Sequence, residues 1–146
     1  MADAATLDLT PLDPDQRLAF YGALFAMSNA DRDMDESEDD RIFDSLDLSD
    51  LDADARKRVL RLAIDPPSLE RSLLHFRDAD ETFRRALMLN LIDVVLADGV
   101  IEPGEHVGLH EARQVLGLSR DDMSELHDCA HAAQSKENLV RPIRPA

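Results

Sequence analysis

The chain holds one cysteine, two lysines and no hydrophobic run much longer than about ten residues. With Cys129 alone, no internal disulfide can form. The longest apolar runs are about half of what a membrane-spanning helix requires, so no membrane span is expected. The first residues, Met1 to Asp8, contain no basic stretch and no apolar stretch of the kind that makes a secretory signal. Together these absences point to the cytoplasm. Basic residues are also few, 16 against 31 acids, for a formal net charge of −15. A chain this acidic repels phosphate backbones, which argues against general nucleic-acid binding. No Gly-rich phosphate loop, no Ser-His-Asp set and no cysteine cluster occurs, so the reading is of a protein that is not an enzyme.

What is present describes a folded chain. Hydrophobic residues make up 44% and charged residues 32% of the 146 positions, a globular composition. That length suits one domain able to bury about two-thirds of its unfolded surface. The charge is segregated. Ser28 to Asp54 carries twelve acids against Arg32 and Arg41, a net −10, whereas Arg56 to Arg85 has eight basic and five acidic residues, a net +3.

The apolar spacing is helical throughout. Asp13-Pro14 supplies an N-cap and a first-turn proline. The following run, with Leu18, Tyr21, Leu24 and Phe25 on one face and Phe20, Ala23 and Met27 on another, predicts a central buried helix. A second helix is spaced by Glu38, Ile42 and Leu46. A third begins at Asp52 or Asp54, with Val59, Leu60 and Ala63 inward and Arg56, Lys57, Arg58 and Arg61 outward, and Pro66-Pro67 stops it. Ser68 caps a fourth, and a fifth runs from about Asp80 to Asp98. A sixth is ended by Gly117, and Ser119 or Arg120 starts a seventh. No window both alternates with period two and is enriched in β-branched residues, so no strand is predicted. The fold class is all-α: a compact single-domain bundle of about seven helices spanning residues 14–135. It is flanked by a loosely ordered arm (1–13) and a proline-containing tail (136–146).

One short acidic pattern occurs twice. Ala30-Asp31-Arg32-Asp33-Met34-Asp35-Glu36-Ser37-Glu38 aligns without a gap on Ala97-Asp98-Gly99-Val100-Ile101-Glu102-Pro103-Gly104-Glu105. Each copy follows an apolar helical run and precedes an amphipathic one, which implies two repeated helix-turn-helix units. Much of the pattern suits a helix start. Asp35 and Glu102 stand at the cap, Glu38 and Glu105 three residues on as in a capping box, and Met34 and Ile101 in the staple position. Asp31 and Asp98 are different, because each places a negative charge at the negative end of a helix dipole. They either accept hydrogen bonds from turn amides or share a cation with the later acids. Asp31, Asp35 and Glu38 in one copy, and Asp98, Glu102 and Glu105 in the other, are therefore the candidate metal ligands. All-oxygen donors favour Ca²⁺ or Mg²⁺. Neither copy is an EF-hand: in the first, Glu36 stands where that loop needs glycine and Ile42 where it needs a bidentate glutamate, and in the second, Val100 stands at the third position.

Ala97-Asp98-Gly99-x-Ile101-x-x-x-Glu105, after an apolar helix and before one ending in Leu116-Gly117-Leu118-Ser119, resembles the TerB-like family. That family includes tellurite-resistance proteins and the N-terminal region of certain membrane-anchored DnaJ co-chaperones. The earlier copy, with Leu46-Asp47-Leu48-Ser49, fits more loosely, having Arg32 in place of the glycine. The resemblance covers roughly residues 15–135. It implies a bundle of about seven helices with internal duplication and no known catalysis, acting through a protein partner in a stress or metal response. It also implies a suspicion of metal binding at Asp31, Glu38, Asp98 and Glu105. None of these features sets the oligomeric state.

Other polar residues have simpler readings. His106 and His110, like His127 and His131, are four apart on a helix, a spacing able to ligate zinc. The first pair flanks an apolar stripe and the second faces mostly outward, so both read as solvated. Cys129 reads as a small buried hydrophobe. Asn90 and Asp93 interrupt an apolar helix, where the aspartate needs a partner such as an arginine of the basic segment. The Arg56–Arg61 face reads as solvent-facing or as a dock for an acidic partner.

Overall fold

Side chains at the helix starts set where each element begins in the computed structural model, which describes residues 4–28, 51–96, 103–134 and 142–145. Helix α1 (Pro14–Ser28) opens on a reciprocal box: the Gln16 amide donates to Asp13 Oδ1 at 2.8 Å, and the Asp13 amide donates to Gln16 Oε1 at 3.1 Å. Asp52 Oδ1 accepts from the Ala55 amide at 2.8 Å to start α2 (Ala53–Arg61). Ser68 does the same for α3 (Leu69–Leu74) and Asp80 for α4 (Glu81–Val95). Helix α5 (Pro103–Leu116) has its proline in the first position, and α6 (Arg120–Gln134) follows it. These are six helices among the described residues; the helix expected around Glu38 to Leu46 lies outside them.

The Leu116-Gly117-Leu118-Ser119 segment shows how four residues end one helix and start the next. Gly117 has φ 65°, left-handed backbone that a residue with a Cβ adopts only under strain. The Leu118 amide donates to the Arg113 carbonyl at 3.1 Å and the Gly117 amide to Gln114 at 3.3 Å, the paired bonds of a Schellman ending. Two residues later, the Asp122 amide donates to Ser119 Oγ at 3.0 Å and the Ser119 amide to Asp122 Oδ2 at 2.9 Å. The hydrogen bond from the Ser119 amide is the largest influence holding the Asp122 carboxyl below its usual value. Burial, the next largest influence, opposes it, and the Ser119 hydroxyl and Arg85 add to the lowering. Helix α2 ends earlier than Pro66-Pro67 would require. After Arg61 the chain tightens into successive i→i−3 bonds, Leu62 to Val59, Ala63 to Leu60 and Ile64 to Arg61.

Helix α4 lies at the centre, packed against α6, α1, α5 and the C-terminal strand; α1 packs on α2, α3 and α4. Ala86 to Val95 are buried without interruption, as are Phe20, Tyr21, Leu24, Phe25 and Met27 of α1. Each large apolar side chain so buried contributes roughly 1.5–3 kcal/mol. Two close approaches depend on glycine. A Cβ on Gly108 of α5 would lie 3.0 Å from the Met27 sulfur, so α5 passes tightly across the last turn of α1. A Cβ on Gly22 of α1 would lie 2.9 Å from Pro67 Cγ.

The chain does contain strands. β1 (Ala4–Thr6) pairs antiparallel with β2 (Ile143–Pro145), in the register Ala4↔Pro145, Ala5↔Arg144 and Thr6↔Ile143. They fall inside the segments expected as arm and tail. Three residues are too few to display a period-two pattern, and the pairing is held by side chains distant in sequence. Asn90 Nδ2 donates to the Ile143 carbonyl at 2.7 Å, and the Ile143 amide donates to Asn90 Oδ1 at 3.1 Å. The buried asparagine thus satisfies both backbone groups of Ile143, as a neighbouring strand would. At the other end, the fully buried Arg17 donates from Nη2 to the Leu9 carbonyl at 2.8 Å, and Leu9 itself is in the core.

Candidate functional site

Of the six acids expected to ligate metal, Asp31, Asp35, Glu38, Asp98 and Glu102 lie outside the described residues, and Glu105 is within them. Glu105 is the third residue of α5, as the capping-box spacing predicts, and it is 1% exposed while His106 and Val107 beside it face solvent. Its carboxylate therefore points inward from the helix start. Among the described residues, no group of three or more His, Cys, Asp or Glu is arranged to hold a metal.

The histidines divide. His106, His110 and His131 are exposed, as expected, but His127 is half-buried rather than outward-facing. Burial is the main reason its pKa is lowered; the nearby positive charges of His131 and His106 act in the same direction, and Asp128 opposes them. Helices α5 and α6 thus bring imidazoles near one another without forming a metal group. Cys129 is buried. Asp93 accepts from Gln134 Nε2 at 2.7 Å, a partner from outside the basic segment. Asn90 is committed to β2, so these two polar residues belong to the scaffold. Arg85 pairs with Asp122 and, at 3.1 Å, with Glu125, while Arg84 donates to the Ala79 and Leu116 carbonyls. These arginines tie α4 to α6 and to the end of α5.

A different feature is invisible in the sequence. Between α1, α2, the Pro66-Pro67 turn and α3 lies a cleft of about 360 Å³ lined by Leu18, Ala19, Leu62 and Pro67, with Arg58, Arg71, Ser72 and His75 among its polar groups. Pro67 and Ser72, two of its lining residues, approach α1 closely at Gly22, 2.9 and 3.1 Å from where a Cβ would be. Arg58 is 3.7 Å from Asp15 across the mouth, and both side chains are largely exposed. Arg56, Lys57 and Arg61 face solvent as the spacing predicts, whereas Leu60, expected inward, is exposed.

The described residues form a mostly helical bundle in which the apolar α4 precedes, in sequence, a helix beginning Pro103-Gly104-Glu105. The model of the tellurite resistance protein TerB family matches residues 17–128, and the chain belongs to that family. No curated protein and no solved structure matches it. It is thus a tellurite-resistance-type helical domain of a non-catalytic family. No helix among the described residues is long and apolar enough to cross a membrane.

Proposed function

We propose that this chain acts without catalysis, as a protein-interaction module in a bacterial stress or metal response of the tellurite type. The observation that supports this is the placement of exposed apolar side chains. Leu60 and Leu74 are each 46% exposed and Ile64 is 87% exposed. These three lie on α2, on the turn after it, or on α3, the elements that wall the cleft, and the fourth exposed large apolar side chain among the described residues, Val107, is on α5. Apolar side chains gathered on one part of a surface mark contact sites. Site-specific photo-crosslinking tests the reading. A photoreactive residue at Ile64, in cells expressing the chain, is expected to give a discrete protein adduct, and one at exposed Glu81 none. No adduct at Ile64, or equal labelling at both positions, would overturn it.

A second reading, divalent-cation binding by the acidic junctions, is supported by the inward carboxylate of Glu105 and by Met27 abutting Gly108. That contact sets the last turn of α1 against the second turn of α5. Asp31, Asp35 and Glu38, with Asp98, Glu102 and Glu105, would supply oxygen ligands for Ca²⁺ or Mg²⁺. A cation that binds the folded state alone raises the melting temperature when in excess. Millimolar Ca²⁺ is expected to raise it in the native chain and not in Asp98→Ala/Glu105→Ala. An equal shift in both removes the second junction from consideration.

A further inference from the structure

We propose that the cleft between α1, α2 and α3 seats the partner through an acidic, apolar peptide segment, one that sets a carboxylate beside a large apolar side chain. The proposal rests on the partner-binding reading and names the chemistry of its contact. The floor is apolar, formed by Leu18, Ala19, Leu62 and Pro67. The polar groups around it are mostly basic: Arg58, Arg71 and His75 against the lone acid Asp15. With His75 neutral, the lining carries two positive charges and one negative, a net +1, in a chain whose total is −15. Arg71 makes no ion pair among the described residues, and its planar guanidinium suits two-point recognition of a carboxylate. The Arg58–Asp15 pair, 3.7 Å apart and largely solvated, holds its arginine weakly and can exchange for a ligand carboxylate.

The same balance sets the class of ligand. A polyanion such as nucleic acid would feel the whole negative chain, whereas a short carboxylate-bearing segment responds to charges within a Debye length of about 8 Å. The cleft volume of about 360 Å³ lies at the lower end for binding pockets, enough for one or two side chains. Leu60, Ile64 and Leu74 extend apolar surface over the walling elements, which favours a protein segment over a small free acid. The chain itself carries such a pattern in Phe43-Asp44-Ser45-Leu46-Asp47-Leu48, so a second copy is a competing occupant.

Fluorescence polarisation with three labelled synthetic peptides tests the proposal: alternating leucine and aspartate, its asparagine counterpart, and its serine–aspartate counterpart. The leucine–aspartate peptide is expected to bind about tenfold more tightly than either control. Arg71→Glu is expected to weaken that binding about tenfold, and Arg61→Glu, exposed and not a lining residue, less than about twofold. Arg71→Gln, which removes the charge without reversing it, should give an intermediate loss, and all variants should melt as the native chain does. Equal affinity for the asparagine peptide, or indifference to Arg71→Glu, would overturn the proposal. If the Ile64 adduct also survives Arg71→Glu in full, the partner reading stands while the cleft falls. If the peptide binds as expected and no adduct forms, the partner reading falls instead. Concentration-dependent self-association in sedimentation, abolished by Arg71→Glu, would overturn a foreign partner in favour of a second copy.

Discussion

Helices α2 and α4 both begin on an aspartate whose side chain accepts the amide three residues on, yet α4 buries every residue from Ala86 to Val95 and α2 buries Val59 alone. Cap chemistry therefore fixes where a helix starts and says nothing about its depth. Depth follows from the side chains after the cap: Ala-Leu-Met-Leu-Asn-Leu-Ile in one, Ala-Arg-Lys-Arg-Val-Leu-Arg in the other. The consequence is a division of labour. The α4 side of the molecule carries the stability, and the α2 side can change its surface without unfolding the chain.

The contrast breaks first if the centre tolerates a cavity. Leu91→Ala in α4 is expected to lose about 2–5 kcal/mol in urea or thermal denaturation; a loss below about 1 kcal/mol would place the core elsewhere. Asn90→Ala tests the polar side of the same helix. It deprives both backbone groups of Ile143 of their partner and is expected to lose about 1–3 kcal/mol, with hydrogen exchange at the Ile143 amide accelerating more than at α4 amides. A smaller effect belongs to His127. Its lowered pKa means that the unfolded chain takes up the proton first, so stability falls as pH drops below the ordinary histidine value of about 6.5. His127→Gln is expected to flatten that part of the pH–stability curve, and an unchanged slope would assign it to another group. The smallest effect belongs on the α2 side. Ile64→Asp is expected to move stability by less than about 0.5 kcal/mol, making Ile64 a site where loss of partner contact is read without loss of fold.

The helix starts were legible because their causes are local. Asp13, Asp52, Ser68, Asp80 and Ser119 each act within three residues, and Gly117 ends its helix through its own backbone. The strand pair was not, since it depends on Asn90 meeting Ile143 across 53 positions of sequence. His127 is half-buried, not outward-facing, because one helix's apolar spacing does not register its neighbours: α6 packs on α4, and the charged neighbour His106 belongs to another helix. The cleft was illegible for a related reason. Gly22, Pro67 and Arg71 are unremarkable singly and define a cavity only when α1, α2 and α3 are brought together. The acidic repeat was the most visible pattern in the chain, and of its two candidate ligand sets Glu105 is the residue within the described structure.

The β1–β2 pair makes the folded chain nearly a ring, with Ala4 opposite Pro145. Deleting either strand opens the same clasp, so removing both should hurt little more than removing one, a strong departure from additivity. Conversely, a short linker joining Ala4 to Pro145 would close the circle with little loop-closure penalty. New ends could then be cut at an exposed turn such as that around Ile64. Such a permuted chain would keep α4 at its centre while presenting the α2 surface at a terminus.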